Sequence, residues 1–509
     1  MDEPRNGSVG RWTVALAGVA FVLHLATARG YGYFRDELYY LACGRHPGLG
    51  YVDHPPLIGW IAAVTRFFLG DSLFAIRLPS ALAAAGTVWL AGATARELGG
   101  AGFARTLTAL AALLAPICLA LFSILSMNAF DVLIWAAAWW ILARMLRTGE
   151  PQLWLALGAV LGLGLENKIS VLFLGFGMVV GLLAGRRWDL LRGRWVWLGG
   201  VLALLLFLPH LAWQQAHGWP TLEFMQNARQ YKMLALGPGA FLGEVTLTAG
   251  PVMLPLWLLG LVFFLGLRRG RAYRPLGWAF LAILVVMIAL HAKPYYAGAA
   301  FTVVFAGGAV ALEGWTGGRR GRLVRGVIVA VVVAGGLLAA PLAKPLLPVE
   351  TYIRYAESLG FGPSSGERHE VAALPQFFAD MHGWPELVQT VADVYWSLPP
   401  GDREKACVFA QNYGQAGAVD LFGPDHNLPR AICAHNSYYL WGPGDCTGEV
   451  VIVIGAGRER LEEVFESVET AAVYTCDYCM PYEDEKVIYV ARRLKMPIRE
   501  LWPSLKEYI

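Results

Sequence analysis

With 509 residues, 56% of them hydrophobic and 16% charged, the chain carries too little charge for an ordinary soluble globular protein, in which about a quarter is usual. The net charge of +3 is small, and no basic tract interleaves with aromatics, which excludes a nucleic-acid partner. The 58 glycines and 19 tryptophans suit helices packed in lipid with aromatic anchors at the interfaces.

A membrane-crossing helix needs roughly 20 mostly apolar residues. Such runs fall near 12–29, 78–95, 106–122, 128–143, 152–166, 169–185, 195–213, 245–267, 275–291, 295–313 and 324–342, predicting about eleven transmembrane helices. The first run is followed by Ala26-Thr27-Ala28, a triplet that also resembles a secretory cleavage site. Arginine placement orients the chain. Arg5 and Arg11, Arg96 and Arg105, and Arg144 and Arg147 fall on one side of alternate spans. So do the clusters Arg186 to Arg194, Arg268 to Arg274 and Arg319 to Arg325. That side is expected to be cytoplasmic, with the N-terminus inside and residues 344–509 outside.

The predicted organisation is a transmembrane domain over 1–343 and a soluble extracytoplasmic domain over 344–509. The outer side also receives two long loops, 30–77 and 214–244. After residue 344 the pattern alternates. Residues 376–397 read as helix. Strand-like runs follow at 406–410, 430–434, 449–455, 471–475 and 486–491, with helical stretches at 413–421 and 457–467. This is the pattern of a small α/β domain. Gly455-Ala456-Gly457 reads as a tight strand-to-helix turn, and neither a nucleotide nor a redox cofactor is expected. Of seven cysteines, Cys407, Cys433, Cys446, Cys476 and Cys479 lie in this part. Outside the cytoplasm they allow one or two disulfides, with reduced buried thiols as the alternative. Cys476-x-x-Cys479 has no second pair for zinc.

Chemistry concentrates on the outer face. Arg35-Asp36-Glu37-Leu38-Tyr39-Tyr40 places two adjacent carboxylates at a membrane surface. There they act either as a general base with an orienting partner or as acids complementing a helix N-terminus. In Tyr51-Val52-Asp53-His54-Pro55-Pro56, Asp53 and His54 can supply ligands to a divalent metal ion such as Mg or Mn, or Asp53 caps the next helix. Glu166-Asn167-Lys168 puts a lysine on the face opposite the arginines, where it either binds phosphate or snorkels. His291-Ala292-Lys293-Pro294-Tyr295-Tyr296 offers cations and phenols for a phosphate, or aromatic anchors. Asn128 and Asp131 sit at the outer start of a span, a functional position or a capped helix end.

These residues resemble those of the GT-C glycosyltransferases, most closely the bacterial relatives of protein O-mannosyltransferases and of the aminoarabinose transferase that modifies lipid A. The resemblance rests on RDELYYLACGRHPGLGYVDHPPLIGW, with support from ENK, HAKPYY, NYGQAGAVDLFG and NSYYLWGPG. It implies a polytopic α-helical membrane protein of GT-C type with an extracytoplasmic α/β domain. It also implies an inverting sugar transfer from a polyprenyl-phosphate donor to a protein, glycolipid or cell-wall acceptor. By position, Asp36 matches the catalytic acid with Glu37 beside it. Lys168 and Lys293 would stabilise the departing phosphate, and His291 and Tyr295 belong to the same phosphate-binding set. Asp53 and His54 match the family's second polar cluster, where the aminoarabinose transferases carry Glu-Lys instead. The alternatives are a transporter or flippase, for which His24 and Glu313 are the intramembrane ionisable residues, and a non-enzymatic envelope binding protein.

Overall fold

The computed structural model describes residues 10–509, so Arg5 of the first basic cluster lies outside the described residues. The chain divides into two compact units. One takes the residues up to Gly30, Phe74–Leu211 and Ala235–Pro348; the other takes Tyr31–Leu73, Ala212–Leu234 and Val349–Ile509. Most of the first outer loop and part of the second therefore group with the C-terminal region.

The first unit is helical, with helices at all eleven places where apolar runs were found. Among the described residues, six are long and apolar enough to cross a membrane: Leu73–Glu97, Met127–Thr148, Arg194–Ala216, Arg271–Ala289, Pro294–Trp315 and Gly318–Ala343. A seventh candidate is the pair Pro238–Ala249 and Pro251–Leu265, bent by 94° where Gly250 takes φ 95° ahead of a proline. The other four runs form shorter helices. Arg11–Ala26, Leu153–Asn167 and Val171–Ala184 have 16, 15 and 14 residues. The run near 106–122 is cut at Pro116 into Gly102–Leu114 and Pro116–Leu121, because proline cannot continue the backbone ladder. Burial separates the helices. Pro294–Trp315 is 83% buried and Arg194–Ala216 only 11%, leaving Trp197, Leu204 and Leu205 exposed as an apolar surface of the kind lipid covers.

The second unit is built on a five-stranded mixed sheet of order β2-β1-β3-β5-β4. The strands are β1 Ala406–Ala410, β2 Ala431–Cys433, β3 Val450–Ile454, β4 Phe465–Tyr474 and β5 Lys486–Leu494. β1 pairs parallel with β2 and β3, and β5 pairs antiparallel with β3 and β4. Every residue of central β3 (VVIVI) is buried, as expected of a strand covered on both faces. The helix expected over 457–467 ends at Val464, because Phe465 already pairs with Leu494. Strand β4 lies at the sheet edge, where exposed Glu466 and Glu469 discourage pairing with another chain. The helix expected over 376–397 breaks at Gly383, φ 86°, and resumes at Trp384. A disulfide joins Cys407 to Cys446, while Cys433, Cys476 and Cys479 are free.

The first outer loop is itself helical, with Arg35–Arg45 and Leu57–Leu69. In the segment read as the second long loop, Pro220–Asn227 is helical and ties into the same unit. Thr221 Oγ1 donates to the Val52 carbonyl at 2.8 Å and Asn227 Nδ2 to the Tyr508 carbonyl at 2.8 Å. The helix Tyr413–Phe422 is capped by Asn412 Oδ1, which accepts from the Gly414 and Gln415 amides at 2.9 and 3.0 Å. It packs directly on Arg35–Arg45. A β-carbon at Gly417 would meet the Leu38 carbonyl carbon at 2.8 Å, and one at Gly414 the Arg35 Cγ at 2.5 Å. The Leu38 contact is with backbone and cannot be relieved by a rotamer. Gly417→Val is therefore expected to destabilise the unit by about 1–3 kcal/mol, the usual cost of overpacking. A thermal melt of the detergent-solubilised protein checks this, and an unchanged midpoint would contradict the packing described.

Candidate functional site

In the second unit, the Arg35–Arg45 helix separates the two adjacent acids. Glu37 is fully buried, and its Oε2 accepts the Phe34 amide at 2.8 Å. It closes the helix start as the third residue of a capping box does. Asp36 points elsewhere. Its side chain is one-third exposed, and its Oδ1 accepts the Tyr413 hydroxyl at 3.0 Å. The two carboxylates thus have different work. Glu37→Gln is expected to leave fold and activity near wild type, since glutamine caps as well. Glu37→Ala should cost about 1 kcal/mol as a lost cap, read as a lower melting midpoint.

Arg35 anchors the same corner. Its amide donates to the Asp380 carbonyl at 2.9 Å, and its guanidinium donates to the Tyr482 hydroxyl. The guanidinium lies 5.2 Å from the Tyr413 ring centre and 5.8 Å from that of Tyr482, within cation–π range. Tyr482 in turn donates to Asp380 Oδ1 at 3.0 Å. Burial raises the Asp380 carboxyl and the Arg35 charge draws it back.

Tyr413 links this corner to the second motif. Its ring centre is 4.7 Å from that of Tyr39. The Tyr39 hydroxyl lies 2.7 Å from Asp53 Oδ1 and 2.7 Å from Ser437 Oγ. Burial pushes the Asp53 carboxyl up, opposed by neighbouring His54 and by the Tyr39 bond. His54 is buried among the rings of Tyr51, Tyr40 and Tyr39, at 4.8, 5.2 and 5.7 Å. Its Nδ1 is 2.8 Å from the Pro55 carbonyl and its Nε2 3.8 Å from Cys43 Sγ. Asp53 and His54 thus share Tyr39 as a neighbour. Among the described residues, no group of three His, Cys, Asp or Glu side chains is placed to hold a metal ion.

The first unit gathers the lysine turn. Lys168 is 8% exposed, so it does not snorkel to water. Its Nζ donates to Asn128 Oδ1 at 2.6 Å and sits 3.7 Å from the Tyr296 ring centre and 5.5 Å from that of Tyr295. Asn128 is itself fixed. Its Nδ2 donates to Ser126 Oγ at 2.9 Å, and Ser126 caps the Met127–Thr148 helix. Asp131 Oδ1 accepts from Trp135 Nε1 at 3.1 Å and Oδ2 from Ser170 at 2.9 Å. Lys168, Asn128, Asp131, Tyr295 and Tyr296 line one small cavity of about 10 Å³, room for a single water-sized group. A buried lysine, an amide and two aromatic rings face this cavity together with the Asp131 carboxyl, whose two oxygens are engaged by Trp135 and Ser170. His291 and Lys293 of the same motif do not line it; His291 is exposed at φ 53°.

The structure thus joins Arg35, Asp36, Tyr39, Asp53 and His54 in one network, and Lys168, Asn128, Asp131 and Tyr295 around one cavity. Tyr413, Asp380 and Tyr482 were not singled out from sequence. Only Tyr413 carried a signal, as part of NYGQAGAVDLFG. Tyr296 stands in the motif whose phenols read either as phosphate-binding groups or as aromatic anchors, and it lines the cavity beside Tyr295.

Residues 53–213 match the family model described as dolichyl-phosphate-mannose-protein mannosyltransferase. Among solved structures, ArnT from Cupriavidus metallidurans bound to undecaprenyl phosphate is similar at TM-score 0.61 and 16% identity, covering 94% of this chain and 97% of that one. Its apo form gives TM-score 0.58 at 15% identity, with 94% and 97% covered. The arabinofuranosyltransferase AftD from Mycobacteria gives TM-score 0.52 at 14% identity, covering 96% of this chain and 40% of that one. The chain therefore has the fold of the GT-C glycosyltransferases, and within it a segment that matches the protein mannosyltransferase family.

Proposed function

We propose that the protein is an inverting glycosyltransferase that moves a sugar from a polyprenyl-phosphate donor to an acceptor hydroxyl or amine on the extracytoplasmic face. The placement of basic loops supports that face, with the N-terminus cytoplasmic and residues 344–509 outside. The observation that carries the reading is Asp36. It is an accessible carboxylate on a rigid helix, with Oδ1 held by Tyr413 and Oδ2 left for a substrate proton.

In the proposed step, Asp36 takes the acceptor proton while the acceptor oxygen or nitrogen attacks the anomeric carbon. The carbon–oxygen bond to phosphate breaks, and its electron pair leaves with the lipid phosphate. Attack opposite the leaving group inverts the anomeric carbon. Lys168, with Asn128, Tyr295 and Tyr296, is assigned to the phosphate, whose charge is greatest as it departs. Among the described residues, no third His, Cys, Asp or Glu side chain joins Asp53 and His54 to hold a cation. That the similar ArnT structure holds undecaprenyl phosphate supports a polyprenyl-phosphate donor here.

The transporter reading has less support. Glu313 accepts the Ala101 and Ala104 amides at 2.5 and 3.1 Å, capping a helix start. His24 Nδ1 lies 3.2 Å from Lys344 Nζ. Both residues have structural partners. The test is transfer from a panel of radiolabelled polyprenyl-phosphate sugars in proteoliposomes. Release of free lipid phosphate by wild type, and not by Asp36→Asn, is expected. A folded protein that binds lipid phosphate but consumes no donor would overturn the proposal.

A further inference from the structure

Cys476 and Cys479 lie in the segment between β4 and β5, spaced as C-x-x-C. Both are free; Cys479 is buried and Cys476 half-buried. The Cys476 amide donates to Asp484 Oδ1 at 2.8 Å, and Cys479 Sγ lies 3.5 Å from the Cys476 carbonyl oxygen. The segment is wedged in place. A β-carbon at Gly383 would come within 2.7 Å of Cys476 Sγ and 2.1 Å of Tyr474 Oη, and the Tyr474 hydroxyl donates to the Gly383 carbonyl at 2.7 Å. Cys479 Sγ is thus placed against the Cys476 backbone, with Cys476 the more accessible of the two.

We propose that Cys476 and Cys479 form a thiol–disulfide exchange site, Cys476 attacking and Cys479 resolving, that reacts with the disulfide of a protein or small-molecule thiol partner. Their electrostatics agree with this division. A hydrogen bond from Cys479 brings the Cys476 thiol down to about 6, and the same pairing pushes Cys479 up. Lowered thiols of this kind are the nucleophiles of C-x-x-C motifs. By contrast, the third free thiol of this domain, Cys433, is buried and pushed up by burial.

The exchange balances as follows. The Cys476 thiolate attacks one partner sulfur, the partner disulfide breaks, and the other partner sulfur leaves as a thiolate. Cys479 then gives its proton to that thiolate and attacks Cys476 Sγ. The Cys476–Cys479 disulfide forms and the first partner sulfur leaves as a thiolate. The pair loses two electrons and the partner gains them. The segment continues into Tyr482, which bonds Arg35 and Asp380, so a change in this pair occurs three and six residues from Tyr482.

Purified full-length protein in detergent, reduced and desalted, would be equilibrated with glutathione and glutathione disulfide at varied ratios. It would then be acid-quenched, alkylated and mapped by mass spectrometry. Cys476 and Cys479 are expected to lose alkylation together and regain it with dithiothreitol. Cys479→Ser should instead stop with glutathione on Cys476. In the native reduced protein, Cys476 should alkylate at least about tenfold faster than Cys433. Retention of both free thiols at every ratio overturns the proposal. So does a folded Cys479→Ser protein that forms no mixed disulfide. If that variant does not fold, the wild-type titration decides alone.

Discussion

Asp36→Asn is expected to lower the rate of sugar transfer by about 10²–10⁴-fold, the usual worth of a general base, with little change in lipid-phosphate binding. The substitution keeps the size of the side chain and an oxygen able to accept the Tyr413 hydroxyl, so the corner formed with Arg35 stays in place. What it removes is a group able to take a proton. Paired with Glu37→Gln, it separates two adjacent acids that sequence alone cannot tell apart. Single-turnover transfer and donor binding, measured on the same preparation, decide the matter. A large fall for Asp36→Asn with near-normal Glu37→Gln fits the assigned roles. Equal losses in both would mean that the helix start, rather than Asp36 chemistry, had been damaged.

Lys168→Ala is expected to cost about 10²–10³-fold in kcat/KM for the donor, comparable to removing one preorganised donor from a site of developing negative charge. The lysine is buried, bonded to a neutral amide, and stacked on the Tyr296 ring. It therefore sits in a place shielded from water, where the attraction of an ammonium for an oxyanion is strongest. Lys168→Arg should not restore full activity, because a planar fork cannot occupy the position of a compact ammonium against that ring. Steady-state kinetics over a donor concentration series would show the loss. Unaltered kcat and KM in a folded Lys168→Ala protein would remove the phosphate role.

Much of this was legible from the chain alone because the signals are local. Apolar runs have a length that the bilayer sets, and helices form at each of them. The five strands of the C-terminal part came from short β-branched runs such as VVIVI, bounded by turn residues. Boundaries shifted where pairing overrode local pattern, as at Phe465. Site residues divided the same way. Asp36, Asp53 and Lys168 stand in compact motifs whose chemistry is written in adjacent letters. Tyr482 and Asp380 stand in ordinary surroundings and acquire meaning only when the fold carries them to Arg35, as with Tyr482, 447 positions away. The choice between Asp36 and Glu37 was also beyond sequence, because it depends on which side chain turns back to the helix start. The disulfide partner of Cys407 could not be deduced either, since pairing among several cysteines is a property of the fold.

The division of the second unit over three separated stretches has a consequence for how the protein is made. Translation delivers residues 31–73 early, yet the helix that closes on Arg35–Arg45 arrives only with Tyr413–Phe422; Asp36 and its Tyr413 partner are 377 residues apart in sequence. Contacts of such separation form late and slowly. Until then Leu38 and Tyr39 lack the surface that buries them. The nascent acidic segment is thus an orphan awaiting its mate, and any stop codon before residue 413 leaves a helical array whose most reactive corner was never assembled.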